Sequence, residues 1–474
     1  MASPHPDAAG QSAPPSRGAR LPLRQIGVYV APTFGVGFMF MMVSLYLMKF
    51  ATDVLLISPA AMGTIFFAAR MVDALSDPLA GFLSDRTRTR LGRRRPWLLA
   101  SALPVAAVYV MVWSPPQALS GPTAVAWMAL GVIGFYTAMT VFMVPHLSLG
   151  AELSDDYHDR TRIYGARHIV WNLGSIAALG GMAMLIAASR PQVSPGPRAT
   201  AVEIALVVSV LTGALIFWAV VRLRERPEFQ GRGARSPFGA YRDVLQNPHA
   251  RLLLVVILIE SLGGATIAVL TPYVAQYIIG RPDLTVFFIL IYMAATIGFV
   301  PLWLPLSRRF GKKPLWMFSM LLTAASFGGM AFLGEGDVVL LSVLAFFGGL
   351  AGSCGAIMSP SVQTDVIDWD DAETGERKEG SYFAGWSFVY KAATGITIML
   401  TGYVLEFSGF VPNQPQPANV RAAILGLYSI FPLVCYLFGT LLFARFSLDE
   451  AAHRRIHTVL EERRGQGNGR GGEG

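Results

Sequence analysis

Two aspartates four residues apart, inside an otherwise apolar stretch, are the strongest chemical signal in the chain. The run Ala69-Arg70-Met71-Val72-Asp73-Ala74-Leu75-Ser76-Asp77-Pro78 puts Asp73 and Asp77 on one helical face. Carboxylates in a bilayer are costly and normally face a cavity, an ion or a partner. Two on one face repel unless a cation, a proton or a basic side chain neutralises them. Oxygen ligands suit hard cations, and a close carboxylate pair also suits proton exchange. Asp73 and Asp77 therefore read as a site for a coupling cation, Na+ or H+. The plainer alternative is a static ion pair with Arg70 or with a lysine from another helix.

Lys391 is such a lysine. It sits in Phe388-Val389-Tyr390-Lys391-Ala392-Ala393-Thr394-Gly395, well inside a later apolar block, where an ammonium needs an acidic partner. A cation that displaced it from the aspartates would shift a conformational balance. Snorkelling to the interface is the competing role.

Other polar residues on apolar blocks are weaker candidates. They are Thr137, Thr140 and His146, then Arg167, Trp171 and Asn172, then Glu260 and Gln276. Such groups often only hydrogen-bond another helix. Arg167 stands out because it could bind a solute oxygen. Trp386 could stack on a solute, with core packing as the simpler role. Asp85 and Arg86 read as a structural latch at a helix end. The clusters Asp155, Asp156, Asp159, Arg160, Arg162 and Asp365, Asp368, Asp370, Asp371, Glu373, Arg377, Lys378 read as structural or gating.

The elements that must position these residues are set by composition. Of 474 residues, 53% are hydrophobic and only 14% charged, and mean hydropathy is +0.49. Soluble domains carry about a quarter charged residues. The apolar residues fall in long blocks such as Gly27–Leu47, Leu252–Ile279 and Ala422–Phe443. Blocks of roughly 18 or more can cross a bilayer as helices, and they lack the short alternation of barrel strands. The expected architecture is all-α, with about 12 transmembrane helices. These lie near 26–51, 60–83, 97–114, 123–149, 163–188, 201–222, 252–279, 285–306, 315–333, 338–366, 382–405 and 421–444.

The net charge of +8 lies in a few short loops, so topology explains it before nucleic acid does. Arg86, Arg88, Arg90, Arg93, Arg94 and Arg95 follow the second span. Arg222, Arg224, Arg226, Arg232, Arg235 and Arg242 follow the sixth, and Arg308, Arg309, Lys312 and Lys313 the eighth. Segment Ser114–Pro122 has no Lys or Arg. By the positive-inside rule both termini are expected in the cytoplasm.

A disordered tail is expected over 1–24, a six-helix bundle over 25–222, a cytoplasmic linker over 223–250, a second bundle over 251–447 and a basic tail over 448–474. Ser84–Trp97 (SDRTRTRLGRRRPW) and Ser307–Trp316 (SRRFGKKPLW) are corresponding basic loops of the two halves, as in transporters built from repeats. No Walker loop, zinc motif, nucleophile elbow or dinucleotide fingerprint is present, so neither an enzyme nor a cofactor is expected. Cys354 and Cys435 lie in apolar stretches without metal spacing.

At Tyr46-Leu47-Met48-Lys49-Phe50-Ala51-Thr52-Asp53, in the Asp73/Asp77 run followed by Gly92-Arg93-Arg94-Arg95-Pro96-Trp97, and at Thr364-Asp365-Val366-Ile367-Asp368-Trp369 with Lys391 beyond it, the chain resembles the glycoside–pentoside–hexuronide:cation symporters. Gly409-Phe410-Val411-Pro412-Asn413 looks like that family's last external loop. The likeness runs from about Ile26 to the basic tail. It implies the major facilitator fold, the plasma membrane, a monomer, and uptake of a sugar, glycoside or sugar acid with Na+ or H+. It also implies that Asp73 and Asp77 bind the cation with help from Ser76 and a helix-four threonine. That threonine is Thr140 if aligned on Pro145 and Thr137 if aligned on Tyr136. Lys391 and Arg70 would serve coupling, and Arg167, with Trp171 and Trp386, the solute.

Two departures bear on the solute. Melibiose permease has sugar-binding acids on helices one and four, and Gly37 and Met143 stand at the matching positions here. Related lysophospholipid symporters share the cation-site charges and carry amphiphiles, which is the alternative cargo. A non-transporting membrane sensor is the contrasting class.

Overall fold

The computed structural model describes residues 21–154, 157–190, 194–223, 225, 244–374, 379–448 and 458. Most of the expected tails and linker, together with Asp155, Asp156, Arg377, Lys378 and the side chain of Arg160, lies outside the described residues.

Ten helices are long and apolar enough to cross a membrane, and an eleventh span is a helix pair bent by 47°. The remaining one is Pro59–Arg86, 28 residues long, whose apolar run is interrupted at its centre by Arg70, Asp73 and Asp77. Ten, one and one give twelve.

Numbered in chain order, α1 is a broken span of Leu23–Val30, Pro32–Leu45 and Leu47–Asp53. α2 is Pro59–Arg86, α3 Arg95–Trp113, α4 Pro122–Glu152, α5 Tyr157–Ala188 and α6 Pro197–Arg222. α7 is Pro248–Tyr273 and runs on as a π-helical turn, Val274–Ile278. α8 is the bent pair Thr285–Gly298 and Val300–Phe310, broken where the sequence suggests one straight span. α9 is Lys312–Gly329, α10 Val338–Thr374 and α11 Glu379–Phe407. α12 is Ala418–Leu425, a π turn Gly426–Ile430, then Phe431–Phe443.

Because the helices alternate in direction, the molecule has a terminal side, where the chain enters α1, and a far side. α1 to α6 pack among themselves, as do α7 to α12. The broadest contact in the protein joins the two sets through α2 and α11. Backbone closeness makes it possible: a Cβ on Gly402 of α11 would lie 2.2 Å from the Pro59 carbonyl oxygen, so only glycine fits. α2 starts cleanly because Ser58 accepts from the Ala61 N–H and proline occupies the first helical position.

The two basic loops perform parallel tasks on the terminal side. Arg93 and Arg94 reach Glu152 at the end of α4, at 2.7 and 3.3 Å, and Arg94 also pairs with Asp85. In the second half Lys312 holds Asp365 of α10 at 2.7 Å, and Lys313 caps the Ala444 and Phe446 carbonyls. Arg86 stands apart from this network and stacks on Phe82 of its own helix. Glu225 accepts from the backbone N–H groups of Arg93, Arg94 and Arg95 at 2.7, 2.8 and 2.6 Å, which anchors the chain after α6 to the positive end of α3.

Candidate functional site

Asp73 and Asp77 share the α2 face that meets α4 and α11, near the middle of all three helices. Thr140 of α4 donates to Asp73 Oδ1 at 2.8 Å and lies 3.2 Å from Asp77 Oδ1. Ser76 Oγ is 3.3 Å from Thr140 Oγ1. From the other half, Lys391 Nζ lies 2.9 Å from Asp73 Oδ2 and 2.6 Å from Asp77 Oδ2. Each carboxylate thus turns one oxygen to the hydroxyls and one to the ammonium. Asp73 is enclosed, with 8% of its side chain exposed, whereas Asp77 keeps 30%.

This donor set fits a small hard cation. Two carboxylates and two hydroxyls converge within one to two helical turns, all through oxygen. Among the described residues no group of three or more His, Cys, Asp or Glu has metal-holding spacing. Further ligands would therefore come from hydroxyls, backbone or water. Pro78 lacks an N–H, which leaves the Ala74 carbonyl of α2 without its helical donor beside the cluster.

Arg70 completes the cluster from one turn away. Its Nη1 is 3.7 Å from Asp73 Oδ2, and its guanidinium lies 4.4 Å from the ring of Tyr136. The Arg70 Nε and the Tyr136 hydroxyl are buried without partners.

The helix-four alternatives separate cleanly. Thr137 faces away from the cluster, into a groove with Pro104, Val108 and Leu130, and donates to the Ile133 carbonyl. Arg167 lies 6.0 Å from the Trp171 ring, and Trp171 packs on Phe40, which packs on Tyr136. A row of rings therefore links Arg167 to Arg70. Trp386 is not brought to this row. It is buried in the second half's core against Tyr382 and Phe383, so core packing explains it. His146 is enclosed between Tyr29 and Phe142, and Asn172 donates to the His168 carbonyl of its own helix. Asp368 lies on α10 beyond Asp365, toward the terminal side.

A second cluster was missed as a site, although its segments carried the family likeness. At the far end of α1, Lys49 pairs with Asp53 at 2.6 Å, and both are buried. Asp53 also accepts from the Tyr277 hydroxyl at 2.9 Å, and Thr52 meets the Tyr273 hydroxyl at 2.8 Å. Asn413, at a positive φ of 59°, gives its side-chain amide to the Asp53 carbonyl and its N–H to Tyr277. Lys49 also sits over the Tyr273 and Tyr277 rings. The signal available was the spacing of Lys49 and Asp53, which suits an i,i+4 pair. A cavity of about 890 Å3 opens beside this clasp, lined by Arg190, Arg198, Gln276 and Asn413 among others.

Residues 28–450 match a family model described as MFS/sugar transport protein. The chain belongs to that family. It is a multi-pass membrane transporter and not an enzyme. Its relatives are named as symporters and transporters. It is 26% identical to the inner membrane symporter YicJ of Escherichia coli, over 89% of this chain and 90% of that one. It is 26% identical to an isoprimeverose transporter of Lactiplantibacillus pentosus, over 93% and 91%. The sodium-dependent lysophosphatidylcholine symporter 1 of Mus musculus is 25% identical, over 90% and 86%. In fold the chain is similar to the nucleoside transporter NupG, with a TM-score of 0.66 at 13% identity, covering 90% of this chain and 99% of that one.

Proposed function

We propose that this protein is a secondary symporter of the plasma membrane that couples entry of Na+ or H+ to uptake of a small solute, a sugar, glycoside or sugar acid. Both termini lie in the cytoplasm, and the two bundles, 25–222 and 251–447, rock about a solute site between them. The observation that carries this is Lys391 bridging Asp73 and Asp77 across the two halves at mid-membrane.

The chemistry follows from competition for the same oxygens. With no cation, the ammonium, together with the Arg70 guanidinium, neutralises the carboxylates and ties α11 to α2. A cation held by Asp73, Asp77, Thr140 and Ser76 takes over part of that neutralisation and loosens Lys391. Cation binding thereby changes the free-energy difference between carrier states, which is what coupling requires. Asp77, the more exposed carboxylate, meets the cation first. The far-side clasp of Lys49, Asp53, Tyr273, Tyr277 and Asn413 corresponds to a carrier closed to the outside.

A second reading has its own support. An apolar cavity of about 180 Å3 lies between Met41 and Leu45 of α1 and Ile267, Phe288 and Met293 of the other half. Together with the lysophosphatidylcholine relative, it favours an amphiphile as the alternative cargo.

Vesicles carrying wild type, Asp73→Asn or Asp77→Asn, with Na+ and pH gradients imposed separately, test the proposal. The variants insert normally and lose gradient-driven accumulation of whichever saccharide or lysophospholipid the wild type concentrates. Full concentrative uptake in both would remove the coupling role.

A further inference from the structure

The mid-membrane charges do not balance once a cation binds. Lys391 and Arg70 offset Asp73 and Asp77, so the cluster is neutral when empty and carries one excess positive charge with Na+ or H+ aboard. Arg167 adds another. Its Nε is buried without a hydrogen-bond partner, and no carboxylate among the described residues pairs with it.

Among the described residues nothing else at this depth supplies an anion. Glu260 turns away toward α9 and α12, where a Cβ on Gly439 would touch its side chain at 3.7 Å. His146 places Nε2 2.9 Å from the Tyr29 carbonyl and leaves Nδ1 unpartnered, the pattern of a neutral ring. Gly37 has no room for an acid, since even a Cβ would lie 2.4 Å from the Trp171 carbonyl oxygen. Met143 is uncharged.

Donors without acceptors point to what completes the site. Arg70 is 9% exposed, and Lys391 outcompetes it for Asp73, 2.9 Å against 3.7 Å. The Tyr136 hydroxyl beneath it is fully buried and unpartnered. Buried donors and uncompensated charge are both strongly unfavourable in a bilayer unless a ligand meets them.

We propose that the transported solute carries the missing charge: it is an anion, bearing a carboxylate or phosphate, received by Arg70, the Tyr136 hydroxyl and Arg167. This rests on the cation-symport reading and narrows its solute class. Cation and solute then favour each other's binding, because opposite charges held close together in one water-poor site attract. The planar guanidinium forks suit both carboxylate and phosphate oxygens.

The test is thermal unfolding of the purified full-length protein in NaCl and in choline chloride, with matched pairs of probes. These are glucuronate and glucose, glucose 6-phosphate and glucose, and lysophosphatidate and monoacylglycerol. The expected result is that at least one acid binds about tenfold or more tightly than its neutral partner, roughly 1.4 kcal/mol, and more tightly when the coupling cation is supplied, as Na+ against choline or as a lowered pH. The responding pair tells a sugar acid from a sugar phosphate or a phosphate amphiphile. Arg70→Gln and Arg167→Gln each weaken that acid about tenfold, and the wild-type comparison stands without them should either fail to fold. A neutral probe that binds as well as its acid, or a panel in which no acid binds, overturns the proposal. The cation-symport reading fails separately, if neither Na+ nor a lowered pH changes the unfolding of the ligand-free protein.

Discussion

Lys391 and Asp77 meet across the two halves of the protein, the ammonium 2.6 Å from the carboxylate and each near the middle of its helix. The pair is one link in a set that also holds Asp73, Thr140 and Ser76, so no member can change state alone.

Removing the ammonium exposes that dependence. Lys391→Met leaves two carboxylates with only the Arg70 guanidinium, 3.7 Å from Asp73, as counter-charge. Loss of one partner of a buried pair costs about 3–5 kcal/mol. The 30% exposure of Asp77 brings the expected loss toward the lower end. Na+ should recover most of it. Thermal unfolding with and without Na+ checks this, and a variant with the wild-type response to Na+ would contradict it.

The hydroxyl of Thr140 is worth measuring against its neighbour on the same helix. Thr140→Val keeps the shape and deletes a donor shared by both carboxylates. A hydrogen bond to a charged group contributes about 1.5–3 kcal/mol. Apparent cation affinity should fall about tenfold or more, while Thr137→Val leaves it unchanged. Equal effects of the two substitutions would place the cation elsewhere.

The far-side clasp should set how often the carrier opens outward. Tyr277→Phe deletes the hydroxyl that bonds Asp53 and the Asn413 N–H. At roughly 1–1.5 kcal/mol this raises the outward-open population about five- to tenfold. The readout is the labelling rate of a cysteine at Gln276, which lines the far cavity. An unchanged rate would mean that the clasp is not limiting.

Glu225 predicts a purely structural effect. It accepts three backbone N–H groups at the start of α3. Glu225→Ala should lower stability by about 1–2 kcal/mol, as for a lost N-terminal cap. Glu225→Gln should recover part of it, and cation affinity should not move in either variant. A change in cation affinity in a folded Glu225→Ala protein would show that the anchor also shapes the site.

The sequence carried the local signals and the structure supplied the partners. Thr137 and Thr140 were equal candidates by alignment, because residues three apart lie on neighbouring faces of a helix. Only packing α4 against α2 decided between them. Trp386 was offered as a solute contact because aromatic identity says nothing about direction, and α11 turns it into the core. The clasp went unread because the partners that join its two helices, Asp53 and Tyr277, are 224 residues apart.

By itself, the sequence determined that the chain crosses a membrane about twelve times and that charge lies at mid-depth. Apolar run length against bilayer thickness, and the cost of a buried carboxylate, are local properties of a chain. Tertiary structure decided which charges neutralise each other, which donors are left without acceptors and which side is clasped. Those outcomes depend on distances of a few ångströms between helices far apart in sequence, and only packing sets them.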